Sequence, residues 1–311
     1  MKPKDCKEES KMSYKAGFVG LIGQPNAGKS TLMNYLIDEK VSIVTSKPQT
    51  TRRRILGIQN NKSSQIVFID APGLVKADKG LNAFLEKEAH EVMKDSDVLL
   101  AVLSIDEKDA EAVEKVLNLV QSSKKPWMAV ITKTDVADKA HRILIVKSMV
   151  EALGAKCLQV SSLKDGIEGR HYILQEIEAL LPESQAPLYD EELYTTENVR
   201  ELVAEIIREK CFQNLEHEIP FQLAVQVRKF DEEAKPCPHI YADVLVSKES
   251  HKPIVIGQKA QVIKKISQES RVEVEKIMNQ KIYLELNVIV KENWFDQAQF
   301  MKVLGYVVHG E

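Results

Sequence analysis

The octapeptide Gly23-Gln24-Pro25-Asn26-Ala27-Gly28-Lys29-Ser30 constrains this chain more than any other stretch. It fits the pattern G-x-x-x-x-G-K-S/T, and its flanks carry as much weight as the pattern does. A short apolar run, Phe18 to Ile22, precedes it. Behind it, Thr31 to Ile37 place apolar residues at helical spacing. A strand that enters a Gly-bearing turn and opens a helix aims backbone N–H groups at one point, and the helix dipole favours an anion there. The spacing predicts a phosphate cradle spanning Gly23 to Thr31. In it Lys29 reaches the β- and γ-phosphates, and the Ser30 hydroxyl ligates Mg2+.

With 311 residues the chain has room for two domains, each with its own core. Apolar content of 44% and charged content of 29% describe a soluble globular protein. The net charge of −3 gives no global sign of a polyanion partner, so any nucleic-acid surface has to be local. Cys6, Cys157, Cys211 and Cys237 lie far apart without metal-ligand spacing, as expected for reduced thiols in a cytosolic protein. Residues 1–15 are charged and lack an apolar centre, so they read as a disordered leader rather than a signal peptide or anchor. The longest apolar run, Val98 to Leu103, is far too short to cross a bilayer and reads as a buried strand. Peripheral contact with the inner face of a cell membrane stays open, although no segment argues for it.

Strand-like runs recur at Phe18–Ile22, Ile66–Ile69, Val98–Leu103, Met128–Ile131 and Cys157–Val160. Helical patterns separate most of them, at Thr31–Ile37, Ala83–Met93, Ala110–Val120, Leu144–Leu153 and Ile173–Leu180. That alternation predicts an α/β domain with a mostly parallel sheet, helices on both faces and ligands at the carboxyl ends of the strands. Further ligand-type residues fall at those ends. Ile66–Ile69 runs into Asp70-Ala71-Pro72-Gly73, where the aspartate can hold Mg2+ through water and the Gly73 N–H can bond a γ-phosphate oxygen. Met128–Ile131 runs into Thr132-Lys133-Thr134-Asp135. The Asp135 carboxylate can accept from guanine N1–H and N2–H2, a donor pair that adenine lacks; taken alone it would serve as well as a helix N-cap. Cys157–Val160 runs into Ser161-Ser162-Leu163, whose N–H groups suit the guanine O6, or else form an ordinary Ser-rich turn.

In this order the motifs resemble those of the translation-factor-like GTPases. Lys47-Pro48-Gln49-Thr50-Thr51-Arg52, Asp70-Ala71-Pro72-Gly73 and the C-terminal half together resemble the Era family of GTPases over residues 16–308. The resemblance implies a GTP-hydrolysing domain and a type II KH domain that binds the 3′ end of small-subunit (16S) ribosomal RNA, in a cytoplasmic, monomeric factor of 30S subunit assembly. It puts Thr50 and Thr51 in switch I, with Thr51 expected to ligate Mg2+ and sense the γ-phosphate and Thr50 as the fallback. The catalytic set implied is Lys29, Thr51, Asp70 and Gly73. Leu74 stands where many GTPases carry the glutamine that orients water, so intrinsic hydrolysis should be slow. Asn26 stands where related GTPases help to hold K+ near the phosphates. Two residues of the guanine motifs depart from the family pattern. Thr132 replaces the usual Asn and predicts weaker GTP affinity, while Ser162 replaces the commoner Ala.

A proline-bearing stretch, 182–196, reads as a linker between a first domain over 16–181 and a second over 197–311. The second domain follows the order helix, strand, strand, helix, helix, strand, and a last helix is expected over Trp294–Leu304. Its RNA-binding turn would be Ile256-Gly257-Gln258-Lys259-Ala260, with Lys264 and Lys265 beside it, clamping nucleotides by their backbone. Ala260 takes the place of the second glycine, and if that position needs positive φ the alanine costs on the order of 1 kcal/mol. Residues 183–311 hold 16 Lys+Arg against 22 Asp+Glu, so only the group Lys252, Lys259, Lys264, Lys265 and Arg271 offers a basic face. The competing reading is an RNA-binding assembly factor whose hydrolysis is vestigial. A P-loop ATPase is disfavoured by Asp135.

Overall fold

The computed structural model describes residues 14–47, 50–73, 80–107, 109–135, 140–162 and 164–306. The first half alternates strand and helix: β1 Lys15–Ile22, α1 Lys29–Ile37, β2 Ile55–Asn60, β3 Ser64–Asp70, α2 Gly80–Asp95, β4 Val98–Ser104, α3 Ala110–Ser122, β5 Trp127–Thr132, α4 Ala140–Ala152, β6 Cys157–Gln159 and α5 Ile167–Leu180. These strands form one sheet in the order β2-β3-β1-β4-β5-β6. Every pair in it is parallel except β2–β3. β3 and β4 are buried along their whole length, because helices cover both faces of the sheet. Alternation sorts the core. Leu100 and Val102 pack on one face with α1 and α5, while Leu99, Ala101 and Leu103 pack on the other with α2, α3 and α4.

Register is what builds the site. Leu21 pairs with Asp70, and Ser104 with Thr132, so β1 ends beside β3 and β4 beside β5; Ile22 pairs with Ala101, so the second pair of carboxyl ends reaches three residues further along the same edge. The phosphate loop, the Asp70 turn and the Thr132 turn therefore leave the sheet side by side.

The second half runs α6 Val199–Asn214, β7 Leu223–Asp231, β8 His239–Val246, α7 His251–Ile256, α8 Gln261–Met278, β9 Tyr283–Val290 and α9 Ala298–Val303. Its sheet is β7-β8-β9, with β8 antiparallel to β7 and parallel to β9. Asn198 and Glu201 form a reciprocal capping box that starts α6. A separate core centres on Ile207, Cys211, Leu223, Val244, Val255 and Ile266.

Three local expectations change. β2 was not foreseen, and it extends the sheet as an antiparallel edge. β1 begins at Lys15, inside the stretch expected to be leader. The final helix is split into a 3-10 turn over Trp294–Asp296 and α9. Asn293 is left-handed there and Gln297 is extended, while Trp294 is drawn fully inside and donates its Nε1–H to the Gln222 carbonyl at 3.0 Å. The stretch 182–196 carries no helix, but it is strapped down. Glu183 bridges to Lys15 and Thr195 to Gly57, and the Gln65 side chain bonds the backbone of Leu188 and Tyr189.

Candidate functional site

The phosphate loop folds around its own lysine. Lys29 is 6% exposed, and its Nζ donates to the carbonyls of Gly23 and Gln24, both at 3.1 Å. Burial pulls its pKa down to about 8, opposed by the Asp70 charge. The loop is tied on three sides: the Gln24 amide donates to Ala112 of α3, the Asn26 amide to Ser46, and Thr132 to Ala27. A cavity of about 400 Å3 opens over it, lined among others by Gly28, Lys29, Ser30, Thr31, Thr51 and Gly73. At Gly73 only glycine fits, since a Cβ there would lie 2.6 Å from the Pro25 backbone nitrogen. That close approach presses the Asp70-Ala71-Pro72-Gly73 turn against the loop.

Three oxygens meet beside Lys29. Ser30 Oγ lies 3.0 Å from Thr51 Oγ1 and donates to Asp70 Oδ2, which Thr51 Oγ1 also approaches at 3.4 Å. Asp70 is fully buried, and desolvation raises its pKa against the Lys29 charge and three hydroxyl donors. Its second oxygen, Oδ1, is buried and has no hydrogen-bond partner among the described residues. Hard oxygen donors around an unsatisfied buried carboxylate oxygen suit a hydrated Mg2+. Of the neighbouring Thr50 and Thr51 it is Thr51 whose hydroxyl joins this cluster. Thr50 also lines the cavity, but its hydroxyl bonds the Lys47 carbonyl and the Thr45 hydroxyl instead.

The guanine-type motif also comes together. Asp135 Oδ1 accepts from Ser161 Oγ at 2.8 Å, and that bond holds the carboxyl below its ordinary range. Ser161 N–H in turn donates to Asp165 at 2.8 Å, which sets the turn that carries Ser162. Lys133 is left-handed at φ 59° and pairs with Asp106 at 3.5 Å; Thr134 beside it is half-buried. Thr132 retains part of what an asparagine would do, because its hydroxyl donates to the Ala27 carbonyl at 2.6 Å and lies 3.4 Å from that of Leu103. Leu74, Leu163 and the pair Pro48-Gln49 lie outside the described residues.

In the second half, α7 ends at Gly257, with φ 73° and ψ 170°. No side chain fits there, since a Cβ would lie 2.5 Å from Val262 Cγ2. Gln258 and Lys259 follow in the turn, and Lys259 and Ala260 are both left-handed at φ 49° and 59°, so Ala260 does occupy the strained conformation. The turn lies between Ile256, which closes α7, and α8. Lys259, Lys264 and Lys265 are exposed, and Lys265 leans to Glu269 at 3.8 Å.

Some participants carry no motif and were missed. Ser42 is 1% exposed and donates to Asp70 Oδ2 at 2.9 Å. Asn34 holds Ser42 by accepting from the N–H groups of Val41 and Ser42 and donating to the Ser42 carbonyl. Arg53 pairs with Glu197 and Glu201, and Arg54 with Glu88 and Asp95, around the junction of the two halves. Their only sequence signal is the run of three basic residues, Arg52-Arg53-Arg54.

Strand tips gathered on one edge around a phosphate loop, followed by a helical pair broken at a glycine turn, define a P-loop GTPase joined to a KH domain. Family models agree: one described as a 50S ribosome-binding GTPase matches residues 18–133, and a KH-domain model matches residues 218–295. GTPase Era of Geotalea daltonii is 36% identical over 305 residues, covering 96% of this chain and 99% of that protein. GTPase Era of Caldicellulosiruptor saccharolyticus is 39% identical over 301 residues, covering 95% and 98%. The chain belongs to the Era family of GTPases. Two solved structures superpose with TM-scores of 0.88 at 31% identity, and each is covered in full by 94–95% of this chain. One is an Aquifex aeolicus Era variant bound to GDP and AlF4−, the other Era with MgGDPNP and nucleotides 1506–1542 of 16S ribosomal RNA.

Proposed function

We propose that this GTPase couples its nucleotide state to binding of the 3′ end of 16S ribosomal RNA in assembly of the 30S subunit. The observation that carries the reading is the oxygen cluster of Ser30, Thr51 and Asp70 beside Lys29. Lys29 would hold the β- and γ-phosphates within the cradle from Gly23 to Thr31. Gly73 N–H would bond the γ-phosphate, with Ala71, Pro72 and Leu74 flanking it. Asp135 would select guanine, with Thr132, Lys133 and Thr134 beneath the base and Ser161, Ser162 and Leu163 at its O6. Ser30, Thr51 and the bare oxygen of Asp70 fit Mg2+, which would supply charge neutralisation at the phosphates. Asn26 spends its amide nitrogen on Ser46, so its oxygen is the atom left for K+.

The RNA reading rests on the turn Ile256 to Ala260 with Lys264 and Lys265. It gains support from the Era structure that contains a 16S RNA fragment. We place the GTP-binding domain at 16–181, the linker at 182–196 and the RNA-binding domain at 197–311. The two separate cores favour that division. The reading places a monomeric protein in the cytoplasm. Among the described residues, no helix is long and apolar enough to cross a membrane.

One experiment tests the division of labour. Lys29→Ala should abolish GTP binding and leave RNA binding by the nucleotide-free protein intact. Gly257→Asp should spare GTP binding and weaken RNA binding at least tenfold, since it sets a carboxylate against phosphate. GTP binding is scored in competition with ATP, and turnover in K+ against Na+ buffer, with and without a small-subunit 3′ RNA. Equal loss of both activities in either variant refutes the assignment. Equal turnover in the two salts removes K+ from it.

A further inference from the structure

Thr51 and Arg52 are consecutive, yet they are held by different domains. Thr51 stands 3.0 Å from Ser30 Oγ in the nucleotide cleft. Arg52 is 2% exposed, and its guanidinium is threaded into the second domain. It donates to the carbonyls of Leu223 at 2.6 Å, Phe221 at 2.9 Å and Pro220 at 3.1 Å. Its Cζ lies 5.7 Å from the Phe212 ring and 6.0 Å from that of Trp294. One side chain thus touches α6, the turn entering β7 and the segment after β9. A planar fork of donors over aromatic faces is a geometry that lysine cannot reproduce.

A second tether lies five residues upstream. Lys47 Nζ donates to the Phe212 and Leu215 carbonyls, at the end of α6 where helix carbonyls lack partners and the dipole is negative. Switch I is therefore pinned to the second domain on both sides of Thr51. Adjacent Cα atoms are about 3.8 Å apart, so wherever the buried Arg52 side chain and Lys47 hold the backbone, Thr51 is held with it.

We propose that Arg52 is a positioning residue of the GTPase site, through which the second domain holds Thr51 against Ser30 and Asp70. The inference deepens the function proposed above and rests on its assignment of Thr51 to the metal and γ-phosphate. Coupling of this kind is reciprocal. A γ-phosphate that draws in Thr51 favours the arrangement of the second domain that Arg52 grips, and RNA that favours another arrangement loosens Thr51. GDP, which lacks the group Thr51 senses, feels neither effect.

The test uses the full chain with Mg2+. In Arg52→Lys the charge stays and the fork is lost. GDPNP affinity should fall about tenfold while GDP affinity changes less than twofold, and the ratio of RNA affinities in GDPNP and GDP should move toward one. Lys47→Ala should move both readouts in the same direction by a smaller factor, and it carries the test if Arg52→Lys fails to fold. Discrimination between GDPNP and GDP equal to that of the unmodified chain overturns the proposal, as does an equal loss of both nucleotides in a folded variant. If the unmodified chain binds RNA equally in both nucleotide states, the gating of RNA falls. The positioning role is then decided by the nucleotide arm alone.

Discussion

Asp70 keeps one oxygen bare because Ser42, Ser30 and Thr51 crowd the other. Ser42 fixes the carboxylate's orientation without reaching the cleft, and Asn34 fixes Ser42 in turn. A hydrogen bond to a charged group contributes roughly 1.5–3 kcal/mol. Ser42→Ala should therefore raise the Mg2+ concentration needed for half-maximal GTP binding by about tenfold at least, while nucleotide affinity in EDTA stays put. A Mg2+ titration at fixed nucleotide reads this directly. Thr132 carries a related lesson. Its replacement of asparagine suggested a weaker guanine site, but its hydroxyl keeps the bond to Ala27, so the loss is confined to what an asparagine would add at the base.

Among the elements, the turn between α7 and α8 carries visible strain. Gly257 meets its positive φ with glycine, whereas Lys259 and Ala260 take theirs with a Cβ. Ala260→Gly should stabilise the folded protein by on the order of 1 kcal/mol, read from urea denaturation, because left-handed backbone penalises alanine and not glycine. Motif-bearing strands were legible because chemistry and burial coincide there: an apolar run simply stops at Asp70 or Thr132. β2 was not legible, since it is a short edge strand with Gly57 at its centre, introduced by three arginines that read as surface. Ser42 stayed hidden because its partner is 28 residues away, and the strap over 182–196 because its anchor Gln65 lies 124 residues from Tyr189. Local pattern carries no trace of such pairings. The end of the chain misled for the same reason: helical spacing runs from Trp294 to Leu304, but the extended backbone of Gln297 splits the helix in two.

At the scale of the whole molecule, the halves meet through ions as well as through Leu85, Ala224, Leu245, Trp294 and Tyr306. Lys40 reaches Glu209 at 2.6 Å and also pairs with Glu273, linking the end of α1 to α6 and α8. Glu197 pairs with Arg53, but burial, together with the charges of Glu201 and Glu205, pushes its carboxyl up to about 7. A carboxyl whose folded pKa lies above its unfolded value of 4.5 favours the folded state when protonated. That stability is full below the unfolded value and is lost as pH rises from there to about 7. Glu197→Gln should flatten this part of the profile. Its stability relative to the unmodified chain should rise by up to about 1 kcal/mol per pH unit across the window, followed by urea denaturation at each pH.

The seat of Arg52 also bears on how such proteins can be recombined. Three of its acceptors are main-chain carbonyls, which any sequence supplies, but the rings of Phe212 and Trp294 that flank it are not generic. A chimaera that grafts on the RNA-binding half of a distant relative would fold each half on its own core. It would fall silent between them unless the graft brought a matching aromatic socket.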